Sequence, residues 1–222
     1  MKGLFVTGTD TGVGKSLISV ALLHTLARQH ARVVGMKPVA AGADFVDGLH
    51  SNDDVRALRA ASTIRVPPDL DNPYLLPDPM SPHLAAARVG VQIEVATIAR
   101  AYRALSQHAD AAVVEGAGGF LVPLSDTQNG AHLAQALGLP VLLVVGLRLG
   151  CLNHALLSAQ AIRAAGLQLA GWVANQVDPS MLAPADNIRY LEAQLGAPLL
   201  ARVPFQVKPD ARSVVFGGIP LG

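Results

Sequence analysis

The chain has 222 residues, and at roughly 150 residues per domain that makes one large domain or a tight pair. Seventeen basic against 16 acidic residues leave a net charge of +1, which excludes the broad basic footprint of a nucleic-acid binder. Apolar residues at 51% and charged residues at only 15% exclude intrinsic disorder and supply ample core, with some left over for a subunit interface.

In chain order, short β-rich runs alternate with helical ones. A strand is predicted over 4–7, a helix over 15–29 from the spacing of Leu17, Ile18, Ala21, Leu22 and Leu26, and a strand over 33–36. Residues 67–82 hold six of the 15 prolines and read as an ordered irregular loop rather than a helix, long enough to be a binding loop. A helix follows over 92–107, then strands over 111–114 and 140–145 with no polar alternation, as in strands covered on both faces. A helix over 151–165 ended by Gly166, a strand over 168–174, a helix over 184–195 and a strand over 198–203 complete the series. This alternation predicts an α/β fold: a doubly wound, mainly parallel sheet with helices on both faces, in one domain spanning 1–222. Ligands in such sheets sit at the carboxyl ends of the strands.

Mean hydropathy is +0.38, which raises the question of a membrane span. The most apolar stretch, 137–152, is broken by Pro140, Gly146, Arg148 and Gly150 and is shorter than the roughly 20 residues a span needs. The N-terminus lacks the long apolar region of a signal peptide. The single cysteine, Cys151, excludes an intramolecular disulfide and a cysteine-rich metal centre. A soluble cytoplasmic protein is the expectation, with neither membrane nor nucleic acid as a partner.

The most informative run is Gly8-Thr9-Asp10-Thr11-Gly12-Val13-Gly14-Lys15-Ser16, placed between a strand and a helix. Glycines let successive N–H groups turn inward toward phosphate oxygens, and the helix start adds partial positive charge. Lys15 reaches the β- and γ-phosphates and Ser16 offers a hydroxyl to Mg²⁺. The strict phosphate-loop pattern needs glycine at position 9, where Thr9 stands. The bland alternative is a glycine-rich turn with a chance Lys-Ser pair; the strand–loop–helix setting argues against it.

Lysine is scarce: only Lys2, Lys15, Lys37 and Lys208. Lys37 falls just past the second strand, so it projects at the carboxyl edge, where a compact ammonium suits a phosphate or carbamate oxygen. Glu115 ends an apolar strand before Gly116-Ala117-Gly118-Gly119, and a buried carboxylate needs a partner, either Mg²⁺ or a salt bridge. Of Asp53 and Asp54, one caps the following helix and the other is a candidate metal carboxylate. Asn175, after a strand, either reads a base edge or forms a turn. The helix opening at Gly150-Cys151-Leu152-Asn153 offers N–H groups to an anion. Cys151 itself reads as a small buried residue, and His154 as structural.

Together these motifs resemble the dethiobiotin synthetase family. The resemblance rests on Gly8-Thr9-Asp10-Thr11, Val13-Gly14-Lys15-Ser16, Lys37-Pro38-Val39-Ala40, Asn72-Pro73-Tyr74 and Ser81-Pro82-His83. It continues through Val114-Glu115-Gly116-Ala117-Gly118-Gly119, Pro123-Leu124-Ser125-Asp126, Leu149-Gly150-Cys151, Asn153-His154 and Ala170-Gly171-Trp172-Val173-Ala174-Asn175. It implies a homodimer of phosphate-loop NTPase-like fold that uses ATP and Mg²⁺ to join CO2 to 7,8-diaminononanoate, giving dethiobiotin, ADP and phosphate. Carried onto this chain, the resemblance gives Gly12, Val13, Gly14, Lys15, Ser16 and Leu17 to the phosphates, and Gly116, Ala117 and Gly118 to the nucleotide site. Ser16, Asp54 and Glu115 hold Mg²⁺, and Asn175, Gln176, Pro204, Phe205 and Gln206 hold the adenine. Lys37 is catalytic beside the carbamate, with Lys15 near the γ-phosphate. Thr11, Lys37 and Ala41 lie at the substrate, and Gly150, Cys151 and Asn153 receive its carboxylate across the dimer interface. Two positions depart from some family members: Gly12, where they have glutamate, and Ala41, where they have serine. Two other readings use the same loop: a nucleotide-switched partition-type ATPase, and another amide- or urea-forming ligase.

Overall fold

The first apolar run becomes β1 (Lys2–Gly8), which leads through the glycine loop into α1 (Lys15–Leu26). A computed structural model describes residues 1–46 and 49–221. After α1 come β2 (Val33–Met36), β3 (Val39–Ala41), β4 (Asp44–Val46), β5 (Leu49–Ser51) and α2 (Asp53–Ala61). Next are α3 (Pro68–Asp71), β6 (Tyr74–Leu76), α4 (Pro82–Arg88), α5 (Val95–Leu105) and β7 (Ala111–Gly119). The chain continues with α6 (Gly130–Leu137), β8 (Val141–Leu147), α7 (Cys151–Ala164), β9 (Leu169–Gln176), α8 (Pro184–Gln194) and β10 (Leu199–Val203).

Six strands form one parallel sheet in the order β10-β9-β8-β1-β7-β2. Parallel neighbours need crossovers, and the helices supply them on both faces. The alternation of side chains along each strand sorts them into two cores. Phe5, Ala112, Val114, Leu143 and Val145 face α5, α6, α7 and α8, burying Ile98, Leu133, Ala155 and Leu191. Leu4, Val6, Val113, Leu142 and Val144 face α1 and α2, burying Ile18, Leu22 and Leu58. The parity slips once in β9, where Leu169 and Trp172 share a face although three residues apart, at the register shift opposite Val141 and Leu142. The unpaired side of edge strand β2 is blunted by side chains: Val33 N–H donates to Thr63 Oγ1 and Gly35 N–H to Ser62 Oγ.

The expected sheet and helices are present, with three local corrections. Residues 67–82 are not all loop. Pro68 and Pro82 each open a helix, because proline at the first helical position gives up an N–H that has no partner there anyway. Tyr74–Leu76 pairs in parallel with Val39–Ala41. The helix expected over 92–107 starts only at Val95, with Glu94 extended before it, and the helix expected to reach 29 ends at Leu26. Neither Asp53 nor Asp54 caps α2. Asn52 does so, its side-chain oxygen accepting from Asp54 N–H at 3.0 Å and Val55 N–H at 3.4 Å. That leaves the Asp54 carboxylate free to turn toward the strand ends.

Candidate active site

The carboxyl ends of β1, β2 and β7 converge, as the parallel order requires. β1 delivers the glycine loop, which bends through left-handed backbone at Gly12 (φ 73°) and Gly14 (φ 89°). A Cβ on Gly14 would stand 2.2 Å from the Asn175 amide nitrogen, so that position is restricted twice over. Asn175 lies at the end of β9, is buried, and donates from Nδ2 to the Val13 carbonyl at 2.8 Å. Its donor is thereby committed to holding the loop against the sheet. Asp10 accepts from the Thr11 N–H at 2.7 Å and forms an ion pair with Arg148. That pair ties the loop to the turn after β8.

Lys15 and Lys37 are both buried, at 7% and 5% exposure. Lys15 Nζ donates to the Asp10 carbonyl at 2.9 Å, within its own loop. Burial, with the neighbouring Lys37 adding to it, lowers the Lys15 pKa to about 8. Lys37 Nζ lies 2.6 Å from Glu115 Oε1, 2.9 Å from Asp54 Oδ2 and 3.4 Å from the Gly116 carbonyl. Burial works against its ammonium, but Glu115 and Asp54 outweigh it and hold the pKa above the usual lysine value. Burial likewise disfavours charge on Asp54, yet Lys37 and the Ser16 hydroxyl keep its carboxyl below the ordinary aspartate range. Ser16 Oγ donates to Asp54 Oδ1 at 2.5 Å and lies 3.0 Å from Glu115 Oε1.

Ser16, Asp54 and Glu115 therefore surround one point, although they come from α1, α2 and β7. Glu115 is fully buried, and its second oxygen, Oε2, has no hydrogen-bond partner among the described residues. An unpaired buried carboxylate oxygen is costly, and a hard cation satisfies it. Two carboxylate groups and a hydroxyl suit Mg²⁺, which keeps several waters and takes its remaining oxygens from phosphates.

A cavity of about 660 Å³ opens over this cluster. Thr11, Gly12, Gly14, Lys15 and Ser16 form one wall; Lys37, Ala41, Asn52 and Asp54 a second; Ala117 and Gly118 a third. A neighbouring cavity of about 220 Å³ shares Gly12 and Gly14 and is lined by Leu17, Asn175, Gln176, Pro204, Phe205 and Gln206. Of the residues expected at the phosphates, Gly12, Gly14, Lys15 and Ser16 line the larger cavity, Leu17 lines the smaller one with the residues expected at the base, and Val13, Glu115 and Gly116 line neither. Gly150, Cys151 and Asn153 line neither. They start α7, where the Cys151 side chain is buried and its N–H donates to the Arg148 carbonyl, while Asn153 is exposed. The sequence pattern predicts neither Asn52 as the cap nor the Arg148–Asp10 pair. Asn52 carried a signal, since asparagine directly before a helical run is a preferred cap.

A family model described as an AAA domain matches residues 2–212. The ATP-dependent dethiobiotin synthetase BioD of Nitrosospira multiformis is 53% identical over 213 residues, covering 96% of this chain and 92% of the relative. The chain belongs to the dethiobiotin synthetase family. The synthetase of the same description from Aromatoleum aromaticum is 50% identical over 210 residues, covering 95% of this chain and 93% of its own. As a family member this chain is an ATP-dependent enzyme. Among solved structures, a ParA family ATPase from Chlorobium tepidum aligns with a TM-score of 0.58 at 15% identity, over 93% of this chain and 85% of that one. The cell division protein FtsY from Thermotoga maritima aligns at 0.55 and 15%, over 97% and 65%. These two likenesses show the fold alone. No helix among the described residues of this synthetase-family chain is long and apolar enough to cross a membrane.

Proposed function

We propose that the chain joins CO2 to 7,8-diaminononanoate and closes the cyclic urea of dethiobiotin, consuming ATP with Mg²⁺. The observation that carries this reading is the convergence of Lys15, Lys37, Ser16 and Asp54 on one cavity beside the glycine loop, with the buried Glu115 within hydrogen-bond distance of Lys37 and Ser16. One amine adds to CO2 and loses a proton, giving a carbamate. The carbamate oxygen attacks the γ-phosphorus, ADP departs, and a carbamic-phosphoric anhydride forms. The second amine attacks the carbamoyl carbon and loses a proton, and phosphate leaves with the bridging oxygen.

Each step gathers negative charge on oxygens beside Lys15 and Lys37, whose own burial strengthens the pull of their fixed charge. Lys15 stands to the γ-phosphate side. Lys37 stands where the carbamate would lie, exchanging part of its hold on Asp54 and Glu115 for the substrate's oxygen. Mg²⁺, held by Ser16, Asp54 and Glu115, supplies charge neutralisation to the phosphates when bound. Gly12, Val13, Gly14 and Leu17 cradle the phosphates, with Gly116, Ala117 and Gly118 opposite. Gln176, Pro204, Phe205 and Gln206 enclose the adenine, with Asn175 holding the loop beneath it. Thr11 and Ala41 border the diamine.

The start of α7, with Gly150, Cys151 and Asn153, stands outside both cavities, which favours a homodimer in which it receives the substrate carboxylate of the other protomer. One domain and a cytoplasmic location complete the reading, supported by the continuous sheet and the lone cysteine.

The test is phosphate release from ATP with Mg²⁺ and bicarbonate, with and without the diamine, alongside product mass. Release that requires the diamine, with a product of dethiobiotin mass, is expected. Nucleotide binding without diamine-dependent release would contradict the reading.

A further inference from the structure

Lys37 follows β2, an edge strand of the six-stranded sheet, so no strand of that sheet lies on its outer side. Residues 71–76 take that place. Lys37 N–H donates to the Asp71 carbonyl at 2.8 Å, and the Lys37 carbonyl accepts from Asn72 Nδ2 at 2.7 Å. The same amide donates to the Tyr74 carbonyl at 3.2 Å, and Tyr74 N–H donates to the Pro38 carbonyl at 3.1 Å. Asp71 and Asn72 are both buried. The Asp71 carboxylate is gripped at both oxygens by Arg59, at 2.8 and 2.5 Å. Arg59 and Asp54 belong to the same helix, α2. One helix therefore holds Lys37 at both ends: Asp54 at the ammonium, and Arg59 through Asp71 at the backbone.

We propose that Asn72 and the Arg59–Asp71 pair are positioning residues that fix the Lys37 backbone so that its ammonium reaches the reacting oxygens. The inference rests on the role given above to Lys37. A lysine side chain has several rotatable bonds, so the placement of its ammonium depends on where the backbone is anchored. A displacement of about 1 Å at a reacting group costs on the order of 10²-fold in rate. Buried hydrogen bonds on both the N–H and the carbonyl of one residue resist such a displacement. The chain order Asn72-Pro73-Tyr74 makes structural sense in this light. The side chain of Asn72 bridges Lys37 and Tyr74, while Pro73 between them needs no donor.

The experiment compares kcat and ADP affinity for the whole chain, the latter by calorimetry, in Asn72→Leu, Arg59→Gln, Lys37→Ala and the double variant Lys37→Ala/Asn72→Leu. Asn72→Leu should lower kcat by about 10- to 10²-fold, while the Kd for ADP stays within about twofold of the parent. Arg59 is 42% exposed, so the shorter glutamine of Arg59→Gln opens no core cavity; it leaves the buried Asp71 carboxylate short of its partner, and a melting curve checks that the fold persists. It should lower kcat by about three- to tenfold, with partial recovery in Arg59→Lys. Because Asn72 acts through Lys37, Asn72→Leu should add nothing in the Lys37→Ala background.

An equal additional loss in that background would show a merely structural role and overturn the proposal. So would parent-like kcat in both Asn72→Leu and Arg59→Gln. If Asn72→Leu does not fold, the Arg59 pair of variants decides. Parent-like turnover in Lys37→Ala alone is a separate result: it would remove Lys37 from the chemistry, and this inference with it.

Discussion

Where β1, β2 and β7 end, Lys15, Lys37 and Glu115 lie dry and paired; where α7 begins, Asn153 and His154 stand in solvent. Lys37, Glu115 and Lys15 are all buried, and each has a partner within the chain. Leu149 is 97% exposed, and Asn153 and His154 are exposed beside it. The contrast separates two kinds of requirement. Groups that meet developing phosphate charge must be charged and shielded from water, so the fold has to supply their counter-charges itself. A seat for a distant carboxylate can stay open until another surface closes it. The first region is complete in one chain, whereas the second is complete only in the dimer proposed above.

The largest expected effect breaks the dry region. Glu115→Gln keeps the shape and removes one buried charge, so Lys37 loses half of its carboxylate pair. Turnover should fall by about 10²-fold or more, and the Mg²⁺ concentration for half-activity should rise by about tenfold. A metal titration checks it; an unchanged midpoint would move the ligand elsewhere.

Next in size is a proton linkage at Lys15. Its folded pKa, about 8, is depressed below 10.5. Below pH 8 the folded chain must hold this lysine charged at a cost, and between about 8 and 10.5 that cost fades, so this group's contribution to stability rises with pH. A bound phosphate favours the ammonium and draws the pKa back up. Nucleotide binding near pH 8.5 should therefore take up a fraction of a proton, which is lost in Lys15→Met. Calorimetry of ADP binding in buffers of different ionisation enthalpy reads this directly, and buffer-independent heats would contradict it.

The open region gives the smaller effects. Leu149→Asp touches no core, so the protomer should keep its fold, and any fall in melting temperature should be limited to the stabilisation the dimer lends it. Solution mass by sedimentation should nonetheless fall toward the monomer, and the KM for the diamine should rise with little change in ADP affinity. A dimer that survives unchanged would place the contact elsewhere. Smallest of all, Ala41→Ser restores a hydroxyl at the cavity wall. It should lower the KM for the diamine by no more than one neutral hydrogen bond allows, about 1 kcal/mol or fivefold. No change in KM would mean that position 41 does not touch the diamine.

The dry region was also the more legible in sequence. Gly14-Lys15-Ser16 sits between an apolar run and a helical pattern, and Glu115 interrupts the end of an otherwise apolar strand, so local order alone marked both. What local order could not show were choices settled at a distance. Asn52, Asp53 and Asp54 are all good caps, and the pull of Lys37 and Ser16 on Asp54 leaves the cap to Asn52. The strand Tyr74–Leu76 exists because it pairs with Val39–Ala41, 35 residues earlier, and carries no alternation of its own. The Arg148–Asp10 pair joins positions 138 apart. No spacing rule reaches that far, although the parallel pairing of β1 with β8 brings the two together.

In the proposed reaction the two lysines and the carboxylate pair serve phosphoryl transfer to a carbamate. The most direct test follows oxygen. With ¹⁸O-labelled CO2, the diamine, ATP and Mg²⁺, quenched before the label exchanges with water, each phosphate released should carry one labelled oxygen, because the carbamate oxygen that attacks phosphorus leaves with it. Phosphate without label would mean that ATP is hydrolysed by water, and the account of Lys15 and Lys37 would be wrong.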